Sequence, residues 1–425
     1  MKTHFLIMAC LLVLCTVMAS AETLVIDTIR GKASRDIRFA IPDFSGGSQG
    51  GTIAGVVRED LLRHGAFVQA PIAPGDLQLL DRADIQKGQI HFKNWANLQA
   101  QLLGKGSVSG SGTLTVEFAL YTPESGARVF GKRYNAPGSQ ARRIGHLIAD
   151  DIIEAILKEK GFFSSRLLFV KGDYTSKNVY ICDSDGRDQK ALTRGTSITV
   201  FPDWFPNKKD ILFTSFYEGR PIIYKLDMQS AKTQRLLAMP GMNTSGAVSP
   251  DGRKLTAIID KDGHPELYVF DIGGGPRTRL TRDRAAESSP TWSPDGRQIA
   301  YASDAGGLPQ IYIISASGGT PRQISSGSIS KYCTSPAWSP DGKKIAFVAK
   351  RGGNFDLFMY DFDSRQTVQL TTDSSNDENP SWARDSRHLA FCRASRRIIL
   401  LDTETGKEST LIAEGQNCTQ PVWEP

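Results

Sequence analysis

Hydrolysis needs a nucleophile, a base beside it and a donor for the negative charge that develops. This chain carries no such set at the spacing of a recognisable motif. Gly106-Ser107-Val108-Ser109-Gly110 imitates a nucleophile elbow but has valine where the nucleophile would stand. Gly104-Lys105-Gly106 begins a phosphate loop or a dinucleotide fingerprint and completes neither. The histidines (His4, His64, His91, His146, His264 and His388) show no His-x-x-x-His spacing for a metal. Asp183-Ser184-Asp185-Gly186-Arg187-Asp188 opens like a calcium loop, yet no bidentate acid follows at the twelfth position. The same residues suit a hairpin turn. The expectation is therefore a protein without catalytic residue, metal or cofactor.

The remaining polar residues gather ahead of a repeat. Trp204, Val248, Trp292, Trp338, Trp382 and Trp423 are spaced 44, 44, 46, 44 and 41 residues apart, three of them opening Ser-Pro-Asp-Gly turns. A period of roughly 40–50 residues with turn residues in register marks a β-propeller, one four-stranded blade per repeat. Just ahead of the anchors stand Thr196–Thr199, Met242–Ser245, Ala286–Ser289, Tyr332–Ser335, Asn376–Asn379 and Asn417–Gln420. In blade geometry these link an outermost strand to the next innermost one, so their hydroxyl, amide and acidic groups converge on one mouth of the central channel. That makes Met242, Asn243, Ser245, Glu287, Ser288, Ser289, Thr334, Asp377, Glu378 and Thr419 candidate partner-binding residues. Solvation alone also explains polar links. A hydrolase or lyase working in the channel would have to use Glu287, Asp377 or Glu378. A carbohydrate-binding propeller would stack sugars on aromatic rings, and these segments offer only Tyr332.

The ends of the repeat set the blade number. Leu167 to Thr193 matches the later part of a repeat and lacks its opening, whereas Cys418 to Trp423 matches the opening and then stops. Pairing the C-terminal strand with the first three closes a six-bladed ring, which removes open sheet edges. Residues 22–160 read instead as a small α/β domain. Strands are expected at Leu24–Ile26, Phe39–Phe44, Phe67-Val68, Gly112–Leu120 and Arg128–Tyr134, with helices over Thr52–Arg63, Trp95–Leu103 and Ala141–Lys160. The fold class is thus two-domain, α/β at 22–160 and an all-β propeller at 161–425.

Residues 1–21 read as a signal peptide: Lys2, an apolar run from Phe5 to Val17, and Ala19-Ser20-Ala21 before Glu22. An exported chain is expected, and export permits disulfides. Cys182, Cys333, Cys392 and Cys418 read better as thiols in strands, with Cys182 to Cys392 or Cys418 as the pairing if one exists. The formal charge of +6 is spread thinly, which excludes a nucleic-acid footprint.

A signal, a small α/β domain carrying Phe39-Ala40-Ile41-Pro42-Asp43-Phe44 and Trp95-Ala96-Asn97-Leu98, then six Ser-Pro-Asp-Gly-type blades, in that order, resembles the TolB family of the Tol–Pal cell-envelope system. The resemblance spans Glu22 to Trp423. It implies a periplasmic, non-enzymatic scaffold, serving envelope integrity and outer-membrane constriction at division. It further implies that the mouth binds a Pal-type peptidoglycan-associated lipoprotein, with contacts falling on Met242, Asn243, Ser245, Ser288 and Ser289. The N-terminal stretch Glu22, Thr23, Leu24, Val25, Ile26, Asp27 and on to Lys32 would engage a TolA-type inner-membrane protein. The family pattern implies a monomer that meets membranes only through these partners.

Overall fold

The computed structural model describes residues 36–261, 263–415 and 417–425. The expected signal peptide, the strand at Leu24–Ile26 and the segment Glu22–Asp27 lie outside the described residues.

The N-terminal domain runs β1 (Ile37–Ala40), α1 (Ser48–His64), β2 (Phe67–Gln69), α2 (Pro74–Lys87), α3 (Phe92–Asn97), β3 (Leu102–Ser109), β4 (Thr113–Thr122), β5 (Ala127–Pro137) and α4 (Ala141–Leu157). Its sheet has the order β2-β1-β3-β4-β5, with β1 parallel to both neighbours and the rest antiparallel. Alternation along the strands splits the core in two. Phe39 and Leu102 join Ile53, Val57 and Leu61 of α1 and Ile144, Ile148 and Ile152 of α4. Their neighbours Ala40 and Leu103 face Leu77 and Trp95 of α2 and α3. Gly65 ends α1 in the left-handed conformation at φ 87°, which glycine adopts without a Cβ penalty.

Two helices differ from the sequence reading. Trp95, Leu98, Leu102 and Leu103 fit a helical period, but α3 stops at Asn97 and Leu102-Leu103 begin β3, paired with Phe39 and Ala40. Gln99 at φ 60° breaks the helix between them. Helix α2 was not legible, because its inner face carries Asp81 and Asp84 beside Leu77 while Leu79 and Ile85 point to solvent.

The propeller has six four-stranded blades. Blades 1–5 open with innermost strands Thr199–Trp204, Met242–Val248, Glu287–Trp292, Cys333–Trp338 and Asp377–Trp382. Blade 6 combines Cys418–Trp423 with Arg166–Gly172, Lys177–Asp183 and Lys190–Ala191, and the C-terminal strand pairs Trp423 with Leu167. The ring therefore closes as the broken repeat ends required. The cysteines Cys182, Cys333, Cys392 and Cys418 are buried free thiols within strands.

Antiparallel pairing within each blade sorts the turns between two faces. The start of the innermost strand and the turn between the second and third strands share one face. The Ser-Pro-Asp-Gly turns and the turns between third and fourth strands share the other. The N-terminal domain sits on this second face. Arg384, in the first turn of blade 5, donates to Gly161 O (2.6 Å), Asp150 (2.7 Å) and Ser164 Oγ (2.6 Å). Lys407, in a third-to-fourth-strand turn, donates to Leu62 O at 3.0 Å. Residues of both domains, from Phe39 to Trp423, share one continuous core.

Candidate functional site

The innermost strands enclose a channel of about 480 Å³. Its wall rests on an irregularity repeated in every blade. Phe201, Ser245, Ser289, Ser335, Asn379 and Gln420 all have φ between 50° and 55°. At each the register to the second strand slips, as in a β-bulge. A left-handed residue bearing a Cβ costs roughly 1–2 kcal/mol. The next residue is Pro202, Pro290, Pro336, Pro380 or Pro421, and Gly246 in blade 2. Proline has no N–H to leave unpaired where the ladder is interrupted. Between blades, Gln420 Oε1 accepts the Phe201 N–H at 2.7 Å, and Asp203 Oδ2 accepts the Val248 N–H at 2.8 Å. Burial holds the Asp203 carboxyl up at about 6.

The anchoring tryptophans staple neighbouring blades. Trp204, Trp292 and Trp382 donate their indole N–H to Val422 O (3.1 Å), Ala247 O (3.0 Å) and Ala337 O (3.0 Å) of the preceding blade. Trp338 departs from this pattern. It is half-buried, donates to Gly342 O in its own turn at 3.2 Å and stacks on Phe362.

At the open mouth the candidate residues fall into two tiers, and they belong to the first half of the innermost strands rather than to loops. Asn243, Glu287 and Asp377 are buried beneath the surface, at equivalent positions two residues before the bulge. Asn243 is spent on backbone, accepting from Met239 N (2.8 Å) and donating to Met239 O (2.7 Å) and Gly241 O (3.0 Å). Asp377 accepts a fork of bonds from Arg393 at 2.8 and 2.9 Å, and Arg393 reaches on to Glu408 at 2.7 Å. Glu287 has no hydrogen-bond partner for either oxygen among the described residues, although Ser303 faces it across the strand pair. Burial, reinforced by Asp283, Glu266 and Asp304, pushes its carboxyl up to about 8. The upper tier holds exposed Met242 and half-buried Ser245, Ser288, Ser289, Thr334, Glu378 and Thr419. Burial also raises Glu378.

The mouth carries more apolar surface than the links between blades suggested. Among the described residues of the propeller, the exposed large apolar side chains are Tyr174 (95% exposed), Phe216, Tyr217 (79%), Leu308, Met242 and Tyr332, and all lie on this face. Four of them sit in turns between second and third strands, away from the polar segments that precede the anchors. The aromatic pair Phe216-Tyr217, set in an otherwise polar glycine turn, was the available signal. Tyr332 is thus joined by other rings, so scarcity of aromatics does not argue against a sugar-binding propeller.

An α/β domain covering one face of a six-bladed ring, with the other face open and rimmed by apolar side chains, defines a two-domain propeller protein of TolB type. The family model "TolB beta propeller domain" matches residues 153–425 and "TolB amino-terminal domain" matches 25–128, and the chain belongs to the TolB family. It is similar to the crystal structure of TolB from Acinetobacter baumannii, with 25% identity, 92% of this chain and 97% of that one covered, and a TM-score of 0.81. Two other likenesses reach the propeller fold alone. A nidogen/laminin complex gives TM-score 0.52 at 11% identity, covering 61% of this chain and 98% of that one. The hydrazine synthase of Kuenenia stuttgartiensis gives 0.53 at 15%, covering 61% and 46%.

Proposed function

We propose that this TolB-type periplasmic propeller is a non-enzymatic scaffold whose open mouth binds a Pal-type peptidoglycan-associated lipoprotein. The observation that carries the reading is the gathering, on the face away from the N-terminal domain, of all six exposed large apolar side chains found among the described residues of the propeller. Exposed aromatic anchors around a concave centre suit protein recognition, where a few such residues dominate affinity. The upper-tier residues Met242, Ser245, Ser288, Ser289, Thr334, Glu378 and Thr419 would line the contact. Asn243, Glu287 and Asp377 would shape it from beneath. Two of the three acids a hydrolase could use argue for the same reading, since Asp377 is tied to Arg393 and Glu287 is enclosed, which leaves Glu378 alone at the mouth.

The segment beginning at Glu22 would engage a TolA-type inner-membrane protein, as an extended piece that adds a strand to a partner sheet. The chain would act as a monomer, in envelope integrity and outer-membrane constriction. No helix among the described residues is long and apolar enough to cross a membrane. Immobilised chain should retain a peptidoglycan-binding lipoprotein from solubilised envelopes. Retention of none would remove the proposal.

A further inference from the structure

Where the two domains meet, α1, α4 and the turn Asp183–Arg187 of blade 6 bring four titratable side chains together. Asp60 and His146 come from the N-terminal domain, Asp183 and Asp185 from the propeller. Sequence spacing could not reveal the group, because Asp183 follows His146 by 183 − 146 = 37 residues. One ligand atom each from His146, Asp183 and Asp185 lie within 4.8 Å of one another. We propose that these three side chains form a binding site for a single zinc-like divalent cation that ties the N-terminal domain to the closing blade.

The histidine is presented as a ligand. Its Nδ1 lies 2.6 Å from Asp60 Oδ2, and both side chains are almost wholly buried. That hydrogen bond fixes the ring with Nε2 turned toward Asp183. Burial alone would lower the imidazole's pKa, but Asp60, Asp183 and Asp185 raise it to about 10, so an incoming ion displaces a proton from Nε2. A carboxylate behind the imidazole is the usual support of a metal-bound histidine. Nε2 has no hydrogen-bond partner within bonding distance among the described residues, and it lies 3.8 Å from Asp183 Oδ2, with which the protonated ring forms an ion pair. Metal bonds of about 2.0–2.1 Å in a tetrahedron set neighbouring ligand atoms about 3.3 Å apart, so this pair needs little movement.

Asp60, Asp183 and Asp185 face Arg142 and Arg63, so loss of the imidazole proton on metal binding leaves one uncompensated negative charge beside the ion. Arg63 (3.5 Å from Asp60) and Arg187 (3.8 Å from Asp185) stand at the edge, and Arg187 is itself paired with Glu59 at 3.3 Å. Arg142 occupies Asp185 Oδ2, while Asp185 Oδ1 accepts the Arg187 backbone N–H at 3.1 Å. Each carboxylate oxygen has a second lone pair for a metal. One nitrogen and two oxygens with a fourth position open to water favour zinc over calcium or magnesium, which prefer six or more oxygens. The Asp183 side chain, 25% exposed, gives the ion a route from solvent.

The test is titration of the chelator-treated, dialysed chain with Zn²⁺ alone, read by metal content and by calorimetry. One zinc per chain and a higher melting temperature are expected, since the ion binds across the domain boundary. His146→Gln should lose at least about 100-fold in affinity, and Asp60→Asn, which removes only the support, about 10–100-fold. No zinc retained by the parent chain, or His146→Gln binding as the parent does, overturns the site. Tighter binding of Ca²⁺ than Zn²⁺ overturns the donor-set argument. The parent titration decides even if a variant fails to fold.

Discussion

Replacing Glu287 with glutamine should stabilise the propeller at alkaline pH and leave it unchanged in mild acid. The side chain is 3% exposed and neither oxygen meets a hydrogen-bond partner at bonding distance among the described residues; burial, with Asp283, Glu266 and Asp304 adding negative charge, outweighs the help of nearby Ser303. Its carboxyl titrates near 8 when folded, against 4.5 when free. Between those values the folded protein keeps a proton that the unfolded chain has released. The unfolded state binds fewer protons, so stability falls as pH rises through this window and the full penalty stands above about 8. At 1.36 kcal/mol per pH unit of displacement, the difference 8 − 4.5 = 3.5 corresponds to about 5 kcal/mol. Glutamine keeps the shape and carries no charge at any pH. Urea midpoints of parent and Glu287→Gln should coincide at pH 4.5 and separate at pH 8.5, with the variant more stable by several kcal/mol at an unchanged slope. Titrating groups that do not interact with Glu287 cancel in the difference. A difference that stays flat with pH would refute the buried, unpartnered carboxyl.

Other expectations follow from the same contacts. Trp382→Ala, which empties a buried site and breaks the bond to Ala337 O, should cost about 3–5 kcal/mol in urea unfolding. Trp338→Ala should cost clearly less, because that ring is half-buried and bonds only within its own turn. Arg393→Met leaves Asp377 buried without its partner and should cost about 3–5 kcal/mol. Arg384→Ala removes the clamp on Asp150, Ser164 and Gly161, so limited proteolysis should cut between residues 158 and 165 about tenfold faster, equivalent to roughly 1.4 kcal/mol of local opening.

The propeller was legible because its period, its Ser-Pro-Asp-Gly turns and its two incomplete ends are local features that backbone chemistry imposes. The pairing of the C-terminal strand with Arg166–Gly172 follows from them, and the structure adds its register, Trp423 on Leu167. The bulge ring was also written in the chain, as the proline two residues before five of the six anchors, but its meaning depends on φ at the residue before it. The end of α3 was misread because the same four apolar residues satisfy a helical period and a turn into a strand. Helix α2 was missed because Asp81 and Asp84 face inward to meet Lys105, at 2.5 and 2.9 Å. At the mouth, the polar residues ahead of the anchors drew attention while burial withdrew Asn243, Glu287 and Asp377 from the surface. The exposed rings of Tyr174 and Tyr217 sit on turns from other parts of the blades, and only the antiparallel pairing brings them to the same face.

The central claim is that the mouth is the partner-binding face, and calorimetry with the soluble domain of a Pal-type lipoprotein tests it directly. Tyr217→Ser and Met242→Ser, both at exposed positions, should each leave melting unchanged and weaken binding by about 30-fold, the effect of a hot-spot anchor worth roughly 2 kcal/mol. Arg297→Ala, exposed in a turn on the opposite face, should bind as the parent does. Parent-like affinity in both mouth variants, or a loss confined to Arg297→Ala, would contradict the account.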